Sequence, residues 1–535
     1  MTSVVALLKR ARVLAQRGDF PRFLATCDQL RRQCGVPEHT RDLLDTGTLL
    51  LQAGFLARAS ECFEHVLSLT PGDRAAAINR ANVAREAGCH AEARARYDAL
   101  LARFPDDPVL RRNALLSLEY DPAASDSERL EQARVWGQWA TKRAGGPFAR
   151  PAMRALTAHQ AIHAMGRAGA CRPLRVGYVS ADFCQHTVGL LIKDMLMAHD
   201  QTRVTPIAFY NGTLNDWVTK ALRAHLEWRD VATLDDAALA EQIRQDEIDV
   251  LVDLSGHTAG SRLSVFAFRP APVQVSWLGY FATTGLEAVD AVLLDGFHAP
   301  TGIEAQFTEQ IIRLQGGRWC YQPVPFAPEL APLPADQKGY VTFGSFNNTA
   351  KYHPAVHALW ARVLSAVPGS RLVLKWRTFN DDALAQAVLS EYAAQGITPD
   401  RIELRGPSFH TALLNEYADI DIALDPFPFS GGLTSCEALW MGVPVITLPD
   451  SRVVSRQTHA FVNQIDQPEL SAKDRDEYVR IALQLVHDRQ RLRRLRTELR
   501  DSMRASELMN TSAFTAGLEA TLIELYQQQF AQQHP

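Results

Sequence analysis

A period of 34 residues near the start of the chain constrains its fold more than any other feature of the sequence. The spacing relates three prolines, three alanines, two glycines and two aromatic residues: Pro37, Pro71 and Pro105; Ala25, Ala59 and Ala93; Gly54 and Gly88; Phe63 and Tyr97. A fixed period of this length is typical of repeat architectures built from one supersecondary unit. Each unit is predicted to be a helix, a turn at the glycine, and a second helix that a proline ends. Such helix pairs must stack to bury their apolar faces, so the pattern predicts an α-solenoid.

The period is that of the tetratricopeptide repeat, which we assign to residues 1–115. A generic helical bundle with chance proline spacing is the alternative, but it does not explain why four kinds of position share one period. Residues 116–171 keep a helical pattern without the repeated residues. We therefore predict that they form capping and linking helices.

From Arg172 onward, short β-branched runs alternate with helical stretches, which is the pattern of α/β domains. The proline-rich stretch 321–334 divides this region, because proline interrupts regular structure. We predict two Rossmann-like domains in a GT-B arrangement, at 172–330 and 335–535, with ligands at the carboxyl ends of their strands in one shared cleft. The predicted strands are 174–180, 204–210, 248–256, 272–279 and 289–296 in the first half, and 340–346, 370–376, 401–406, 420–425 and 444–449 in the second.

Composition excludes several classes of protein. The chain is 47% hydrophobic and 22% charged, with a formal net charge of -4, which excludes collagen, a disordered chain and a nucleic-acid coat. No apolar run approaches the ~18 residues of a membrane span. The eight cysteines are scattered, without the dense pairing of secreted scaffolds. We expect a cytoplasmic protein with reduced thiols that binds neither nucleic acid nor a membrane.

Residues 425–449 (DPFPFSGGLTSCEALWMGVPVITLP) predict an anion site, because a strand is followed by a glycine-containing loop and then by a helix near Thr434. Backbone N–H groups and the macrodipole at a helix start can hold a pyrophosphate without a metal. A glycine turn that only caps the helix is the plainer interpretation. The pattern E-A-x-x-x-G-x-P-V that follows is, however, seen in nucleotide-sugar transferases of the GT-B fold. The predicted donor-binding residues here are Ser430, Gly431, Gly432, Leu433, Thr434, Ser435 and Glu437, the last of them for ribose hydroxyls.

With these motifs the chain resembles the bacterial form of the O-linked N-acetylglucosamine (O-GlcNAc) transferase family. The matching stretches are 177–186 (GYVSADFCQH), 253–280 (DLSGHTAGSRLSVFAFRPAPVQVSWLGY), 346–351 (FNNTAK) and 420–449. The resemblance implies transfer of N-acetylglucosamine from UDP-N-acetylglucosamine to serine or threonine of proteins, with inversion and with no metal or cofactor. It also implies that the groove of the repeats holds the acceptor protein.

Lys351 is the first catalytic candidate, and it is one of only eight lysines. It follows the strand predicted at 340–346 and matches the family lysine that contacts the donor phosphates. A point cation at that position would stabilise the charge that develops on the departing UDP. Asn348 matches a polar position near the uracil and the phosphates, and a simple turn residue is the alternative.

His186 and His257 are the other two catalytic candidates. His186, in D-F-x-x-H after the first strand, matches the family's active-site histidine and can either accept the hydroxyl proton or orient the substrates. Both roles stay open, since the family's general base is not settled. His257 follows the third strand. For either residue, a core histidine bonded to the backbone is the alternative. Asp182 is interpreted as a loop residue that bonds its own backbone.

The chain departs from the family pattern at two places. Where the bacterial family has N-G-G-T-T-T, this chain has S-G-G-L-T-S, so Leu433 removes a hydroxyl that could bond a phosphate. Phe281 and Ala282 replace the usual Pro-Gly after W-L-G-Y. Both departures lie in loops that should face the donor or the cleft, and neither changes the predicted fold.

A literal D-x-D at Asp419 to Asp421 raises the possibility of a metal-dependent transferase. In such enzymes the apolar strand precedes the motif, whereas here it follows, so we predict no metal site. Three alternatives to the protein transferase remain: a repeat-protein adaptor with a weak or inactive transferase half, a nucleotide-sugar epimerase, and a transferase of a different nucleotide sugar.

Overall fold

The computed structural model describes residues 3–34, 37–156 and 172–533. These residues form an N-terminal array of helix pairs followed by two parallel sheets with flanking helices, which confirms the predicted fold class. The chain divides into two units, and each gathers three separate segments. The first unit contains residues 1–122, 326–449 and 469–499, and the second contains residues 123–325, 450–468 and 500–535.

Aspartate side chains cap several helices of the N-terminal array. The carboxylates of Asp19, Asp73 and Asp107 accept hydrogen bonds from backbone N–H groups at the starts of three helices. The helices are α1 Val4–Gln16, α2 Phe20–Gln33, α3 Thr40–Ala53, α4 Leu56–Leu69, α5 Arg74–Glu86, α6 His90–Arg103, α7 Pro108–Tyr120 and α8 Asp126–Ala144. Of the predicted linking region, residues 151–156 have no regular structure and 157–171 lie outside the described residues.

The first sheet belongs to the second unit, and its seven described strands are all parallel, in the order β3-β2-β1-β4-β5-β6-β7. The strand order reverses between β1 and β4, so the loops after these two strands lie where such sheets bind ligands. The strands are β1 Leu174–Ser180, β2 Val204–Tyr210, β3 Glu227–Asp230, β4 Val250–Asp253, β5 Val273–Trp277, β6 Ala291–Leu294 and β7 Gln310–Arg313. The helices between them are α9 Thr187–Met197, α10 Trp217–His225, α11 Asp236–Gln245 and α12 Leu263–Phe266.

The second sheet belongs to the first unit and has five described parallel strands in the order β10-β9-β8-β11-β12. Its order reverses between β8 and β11. The strands are β8 Thr342–Ser345, β9 Arg371–Lys375, β10 Ile402–Arg405, β11 Ile422–Leu424 and β12 Val445–Ile446. The helices of the first unit after residue 325 are α13 Pro334–Lys338, α14 Pro354–Ala366, α15 Asp382–Ala393, α16 His410–Glu416, α17 Leu433–Trp440, α19 Arg475–His487 and α20 Arg489–Ala505, the last of which continues into the second unit. Two further helices, α18 Gln457–Gln464 and α21 Thr511–Gln533, belong to the second unit.

Two strands, β3 and β7, were not predicted from the sequence. Both lie at the edges of the first sheet. An edge strand faces solvent on one side and tolerates charged residues, so its sequence lacks the apolar run that marks a buried strand. The sequence of β3, EWRD, illustrates this.

The C-terminal helix α21 falls within the domain predicted at 335–535, but in the structure it belongs to the second unit. There it packs against β5 and α9 of the first sheet. Phe514 stacks on Trp277 with ring centroids 6.2 Å apart. The buried Glu519 accepts hydrogen bonds from the Asp200 N–H at 2.8 Å and from Arg203 at 3.0 Å. The apolar stripe of α21 predicts burial, but a stripe alone does not identify the sheet that buries it.

Within the first unit, the repeat array rests on the second sheet through its turns. A Cβ atom at Gly54 would lie 2.3 Å from the carbonyl oxygen of Arg377, and one at Gly88 would lie 2.4 Å from that of Tyr352. Both glycines also have left-handed φ angles, 92° and 75°. These two positions therefore need glycine for the turn itself and for the close approach of two backbones.

Polar contacts strengthen the same packing. Thr349 Oγ1 donates to the carbonyl oxygen of Glu86 at 2.6 Å, and Arg377 donates to the Glu86 carboxylate at 2.8 Å. The Ala57 N–H donates to Asp381 at 2.7 Å. The repeats thus contact the loops after β8 and β9 directly.

Among the described residues, no helix is both long enough and apolar enough to cross a membrane.

Candidate functional site

The Asp425 carboxylate holds the loop from β11 to α17 in a compact turn. The Gly431 N–H donates to Asp425 Oδ1 at 2.6 Å, and Thr447 Oγ1 donates to Asp425 Oδ2 at 2.7 Å. A Cβ atom on Gly431 would lie 2.1 Å from Ser435 Oγ and 3.0 Å from Asp425 Oδ1. Only glycine fits this position without displacing its neighbours.

Helix α17 begins directly after this loop, with Gly432 at its N-cap and no side chain bonded there. The Ser435 and Cys436 N–H groups donate to the Gly432 carbonyl oxygen, so the N–H groups of Leu433 and Thr434 and the positive end of the macrodipole are available to an anion. Leu433, where the sequence departs from the family pattern, is the first residue of the helix. Thr434 Oγ1 bonds the Asn347 amide oxygen at 3.2 Å. The structure thus brings the predicted residues of this loop together at one helix start.

Lys351 lies against the same loop, at the end of a short 3-10 helix after β8. Its Nζ donates to the Ser430 carbonyl oxygen at 2.8 Å and to Asn347 Oδ1 at 3.1 Å, and it stands 4.6 Å from the centroid of the Phe429 ring. Burial lowers the pKa of Lys351 to about 8, and nearby Asp425 partly opposes that shift. The loops after β8 and β11 meet where the strand order reverses, so a cation and a helix start lie together at the switch point of this sheet.

Asn348 and its neighbour Asn347 bond different groups. Asn348 Oδ1 accepts a hydrogen bond from the Ala350 N–H at 3.0 Å and caps the 3-10 helix. Asn347, which the sequence did not single out, supplies the amide that contacts Lys351. Its position next to Asn348 in F-N-N-T-A-K was the only signal, and the choice between two adjacent amides depends on the local turn.

Glu437 lies in α17 and has a histidine partner that the sequence did not identify. Its Oε1 is 2.5 Å from His410 Nε2, and this hydrogen bond raises the pKa of His410. The Phe326 ring meets His410 edge-on, with centroids 5.5 Å apart. His410 follows the end of β10, where the strand-end rule would have placed a ligand contact.

In the second unit, His186 occupies the N-cap of α9 and is half exposed. Its Nδ1 accepts a hydrogen bond from the Val188 N–H at 3.3 Å. The neutral ring therefore carries its hydrogen on Nε2, which makes Nε2 a donor. The Asp182 carboxylate lies 3.6 Å from Nδ1, facing the histidine and not its own backbone. Burial raises the pKa of Asp182, and His186 opposes that shift.

His257 is buried, with an exposed fraction of 1%. Its Nε2 donates to the Thr284 carbonyl oxygen at 2.9 Å, and its ring lies edge-on to Trp136 and Tyr280, at centroid distances of 4.5 and 5.1 Å. This placement corrects the expectation of a histidine that faces a cleft. It favours the alternative of a core histidine bonded to the backbone, and His257 is not part of the site proposed below.

Arg318 was not singled out by the sequence, yet it shapes the loop after β5. It is buried, with an exposed fraction of 1%, and its Nη2 donates to the carbonyl oxygens of Leu278 and Tyr280. Its guanidinium lies 4.8 Å from the centroid of the Phe281 ring. Leu278 has a left-handed φ of 69°, which is strained for a residue with a branched side chain. Arg318 therefore holds a strained turn that carries Phe281, one of the two departures from the family pattern.

The two aspartates of the D-x-D sequence are bound separately by protein groups. Asp421 is buried at the start of β11 and accepts hydrogen bonds from the N–H groups of Ala335 and Thr342, at 2.9 and 2.8 Å. Asp419 pairs with Lys338 at 3.0 Å and with a nearby arginine. This geometry agrees with the interpretation of Asp421 as a buried residue at a strand start.

Comparison with known proteins matches the two sheets to a glycosyltransferase family and the helical array to a repeat family. The profile described as glycosyl transferase family 41 matches residues 153–317 and 332–518, and a tetratricopeptide repeat profile matches residues 44–108. The chain is 36% identical over 422 residues to the probable UDP-N-acetylglucosamine–peptide N-acetylglucosaminyltransferase SPINDLY of Arabidopsis thaliana, a match that covers 78% of this chain and 45% of that protein. The Petunia hybrida protein of the same name is 35% identical, with 78% and 44% covered. The chain thus spans less than half the length of these curated relatives.

A solved structure of a Thermobaculum terrenum O-GlcNAc transferase, in a mutant that replaces a lysine by methionine, is similar over nearly the whole chain. The TM-score is 0.86 at 32% identity, and the match covers 99% of this chain and 100% of that one.

Proposed function

The chain belongs to glycosyl transferase family 41, and from this membership we propose that it transfers N-acetylglucosamine from UDP-N-acetylglucosamine to serine or threonine hydroxyls of proteins, with inversion. The observation that carries the proposal is the contact between Lys351 and the glycine loop at the start of α17. A cation, a close-approach glycine and a helix N-terminus at one switch point form a site for the diphosphate of a nucleotide sugar.

In the proposed reaction, the acceptor oxygen attacks the anomeric carbon from the face opposite to UDP. A new carbon–oxygen bond forms while the bond to the β-phosphate oxygen breaks, and the hydroxyl proton passes to a base. Negative charge grows on the departing UDP. Lys351 and the N–H groups of α17 stabilise that charge, so their contacts strengthen as the bond breaks.

We propose that donor binding requires no divalent ion. The positive groups that a metal would supply are present in the chain as Lys351 Nζ and the helix start at Gly432. Glu437, held by His410, is proposed to accept hydrogen bonds from the ribose hydroxyls. Asn348 remains a candidate contact for the uracil and the phosphates.

His186 is proposed to orient a substrate through Nε2. Because Nδ1 already accepts the Val188 N–H, the neutral imidazole presents a hydrogen-bond donor on its other side. A donor at that position suits a hydroxyl or carbonyl oxygen of a substrate better than it suits removal of a proton. This supports an orienting role over that of general base.

The acceptor protein is proposed to bind in the repeat array. A row of amides crosses its helices, with Asn113 donating to Asn82 at 3.1 Å and Asn82 donating to Asn79 at 3.2 Å. Amide side chains both donate and accept, so such a row can bond the backbone of an extended peptide without regard to its sequence. All the cysteines among the described residues are free, which supports a reducing compartment such as the cytoplasm as the place of action.

Two measurements test the proposal and separate its alternatives. Calorimetric titration with UDP in EDTA is expected to show binding, and loss of binding on chelation would contradict the metal-free site.

Release of UDP from UDP-N-acetylglucosamine is then measured with and without acceptor protein. Release that requires protein supports the transferase, and binding without turnover supports the adaptor. Turnover with another nucleotide sugar alone would identify a different donor.

A further inference from the structure

Three potential metal ligands meet in the first repeat, far along the chain from the donor loop. Cys34 ends α2, His39 precedes α3, and Asp42 lies in the first turn of α3. One ligand atom from each residue lies within 4.8 Å of the other two. The His39 Nδ1 and Asp42 Oδ2 atoms are 3.0 Å apart.

We infer that Cys34, His39 and Asp42 form a three-ligand site, with one open position, for a divalent ion of borderline softness, Zn²⁺. Thiolate, imidazole and carboxylate are its common protein ligands, at about 2.3 Å for sulfur and about 2.0 to 2.2 Å for nitrogen and oxygen. Tetrahedral bonds of those lengths place ligand atoms about 3.3 to 3.8 Å apart, so movements on the order of 1 Å complete the site. A water molecule takes the fourth position.

The burial of the three residues suits such an ion. Cys34 is fully buried in the core of the first repeats, so packing fixes its position. The side chains of His39 and Asp42 are 40% and 28% exposed, which leaves the ion a path from solvent. Because the ligands come from two helices, the ion would tie the end of α2 to the start of α3.

The sequence at the start of α3 agrees with this role. His39 occupies the N-cap, a position that favours Ser, Thr, Asp or Asn, and its side chain makes no cap bond there. Its ring is instead directed to Asp42. The imidazole thus contacts a second potential metal ligand and does not cap the helix backbone.

The site takes no part in the proposed transfer, since none of its residues contacts the donor loop or Lys351. Its test is accordingly independent of the transferase assay. The full chain, stripped of metal, is titrated with Co²⁺ as a spectroscopic probe and then with Zn²⁺. We expect one equivalent of Co²⁺ to produce a thiolate-to-cobalt charge-transfer band, which Zn²⁺ then removes by displacement.

Three variants and a matched control sharpen the test. Cys34→Ser is expected to abolish the band, and His39→Gln and Asp42→Asn to weaken Co²⁺ binding more than about 100-fold, because each removes a direct ligand and loss of an outer partner alone costs about 10- to 100-fold. Cys62→Ser changes another fully buried thiol of the same core that lies outside the cluster, and it is expected to keep the band. Zn²⁺ should raise the thermal midpoint of the wild type and of Cys62→Ser, but not that of Cys34→Ser.

The half-exposed position of His39 keeps the inference testable even if the buried Cys34→Ser change prevents folding. A His39→Gln protein that binds Co²⁺ as tightly as the wild type would overturn the site. So would a wild-type chain that takes up no stoichiometric metal, or a band that is lost equally in Cys62→Ser.

Discussion

At the scale of single residues, we expect Lys351 to couple the proposed donor site to pH. Its pKa is lowered from 10.5 to about 8 because burial disfavours the ammonium ion, and bound UDP would restore the charged form. Donor affinity should therefore be constant below about pH 8 and fall above it, by at most about tenfold per pH unit. UDP titrations from pH 7 to 9 measure this, below the alkaline range in which the uracil N3–H ionises, and the second phosphate pKa of about 6 leaves the diphosphate ionised throughout. A flat profile across the range would contradict the assignment.

Replacing the same lysine should affect turnover more than binding. Lys351→Met removes the cation whose contact strengthens as UDP leaves, so we expect the transfer rate to fall about 10²- to 10³-fold with a smaller loss of UDP affinity. Lys473→Met, at an exposed lysine of the same unit, is the control and should behave as the wild type. Equal rates for the two variants would show that Lys351 has no role in the reaction.

Glu437 should recognise the ribose and not the phosphates. Glu437→Ala is expected to weaken UDP binding about 10- to 100-fold, because the ribose hydroxyls lose a charged acceptor. Inorganic pyrophosphate, which has no ribose, should bind the variant and the wild type alike. If both ligands lost the same affinity, Glu437 would act by supporting the loop.

The sequence predicts some residues of this site and misses others for a physical reason. Lys351 and Glu437 stand in motifs whose chemistry is local: a cation after a strand, and a carboxylate one turn into a helix. Asn347, His410 and Arg318 depend on which loops the sheet brings together, and one sequence does not specify those distances. The two histidines differ in burial for the same reason: His186 is half exposed and His257 is buried, although both follow strands of the same sheet.

At the scale of elements, the loop before α17 has room for an anion only if Gly431 stays glycine. Gly431→Ala places a Cβ atom 2.1 Å from Ser435 Oγ and 3.0 Å from Asp425 Oδ1, so the loop must shift. We expect UDP affinity to fall about 10- to 100-fold, since the aligned N–H groups move with the loop. UDP calorimetry measures the loss.

The matched control for that variant is Gly517→Ala in α21, where a Cβ atom meets nothing within 4 Å. It should leave UDP binding unchanged and stabilise the chain by about 0.5 to 1 kcal/mol, because alanine is the better helix former. A Gly431→Ala protein that binds UDP like this control would exclude the loop as the anion site.

The strands and helices were predictable to different degrees. Central strands such as β1 are mostly apolar and almost wholly buried, and β1 was recognised with its bounds. The edge strands β3 and β7 were missed because solvent permits polar residues there. The repeat helices were recognised from their period. The sheet against which α21 packs was not predicted, because an apolar helix face indicates that the face is buried and does not identify the element that buries it.

At the scale of the whole molecule, we expect the repeats to support the proposed donor site through Gly88. Gly88→Ala would place a Cβ atom 2.4 Å from the Tyr352 carbonyl oxygen, next to Lys351 in the chain. We expect UDP affinity to fall about 3- to 30-fold, although the substitution lies in the repeat array. Gly18→Ala is the control: its φ of 70° imposes similar backbone strain, but a Cβ atom there meets nothing within 4 Å. Equal UDP affinity in the two variants would show that the repeats and the donor site are not coupled.

The assembly of the first unit from distant segments has a consequence for synthesis on the ribosome. Translation at about 5 to 20 residues per second separates residue 122 from residue 326 by about 10 to 40 s. The core of the first repeats lies within the array itself, so those helices can fold during that interval. Gly54 and Gly88, meanwhile, face water in place of the backbone they will later touch. A nascent chain is therefore expected to complete its repeats first, and the unit that carries the proposed donor site only after residues 469–499 have been made.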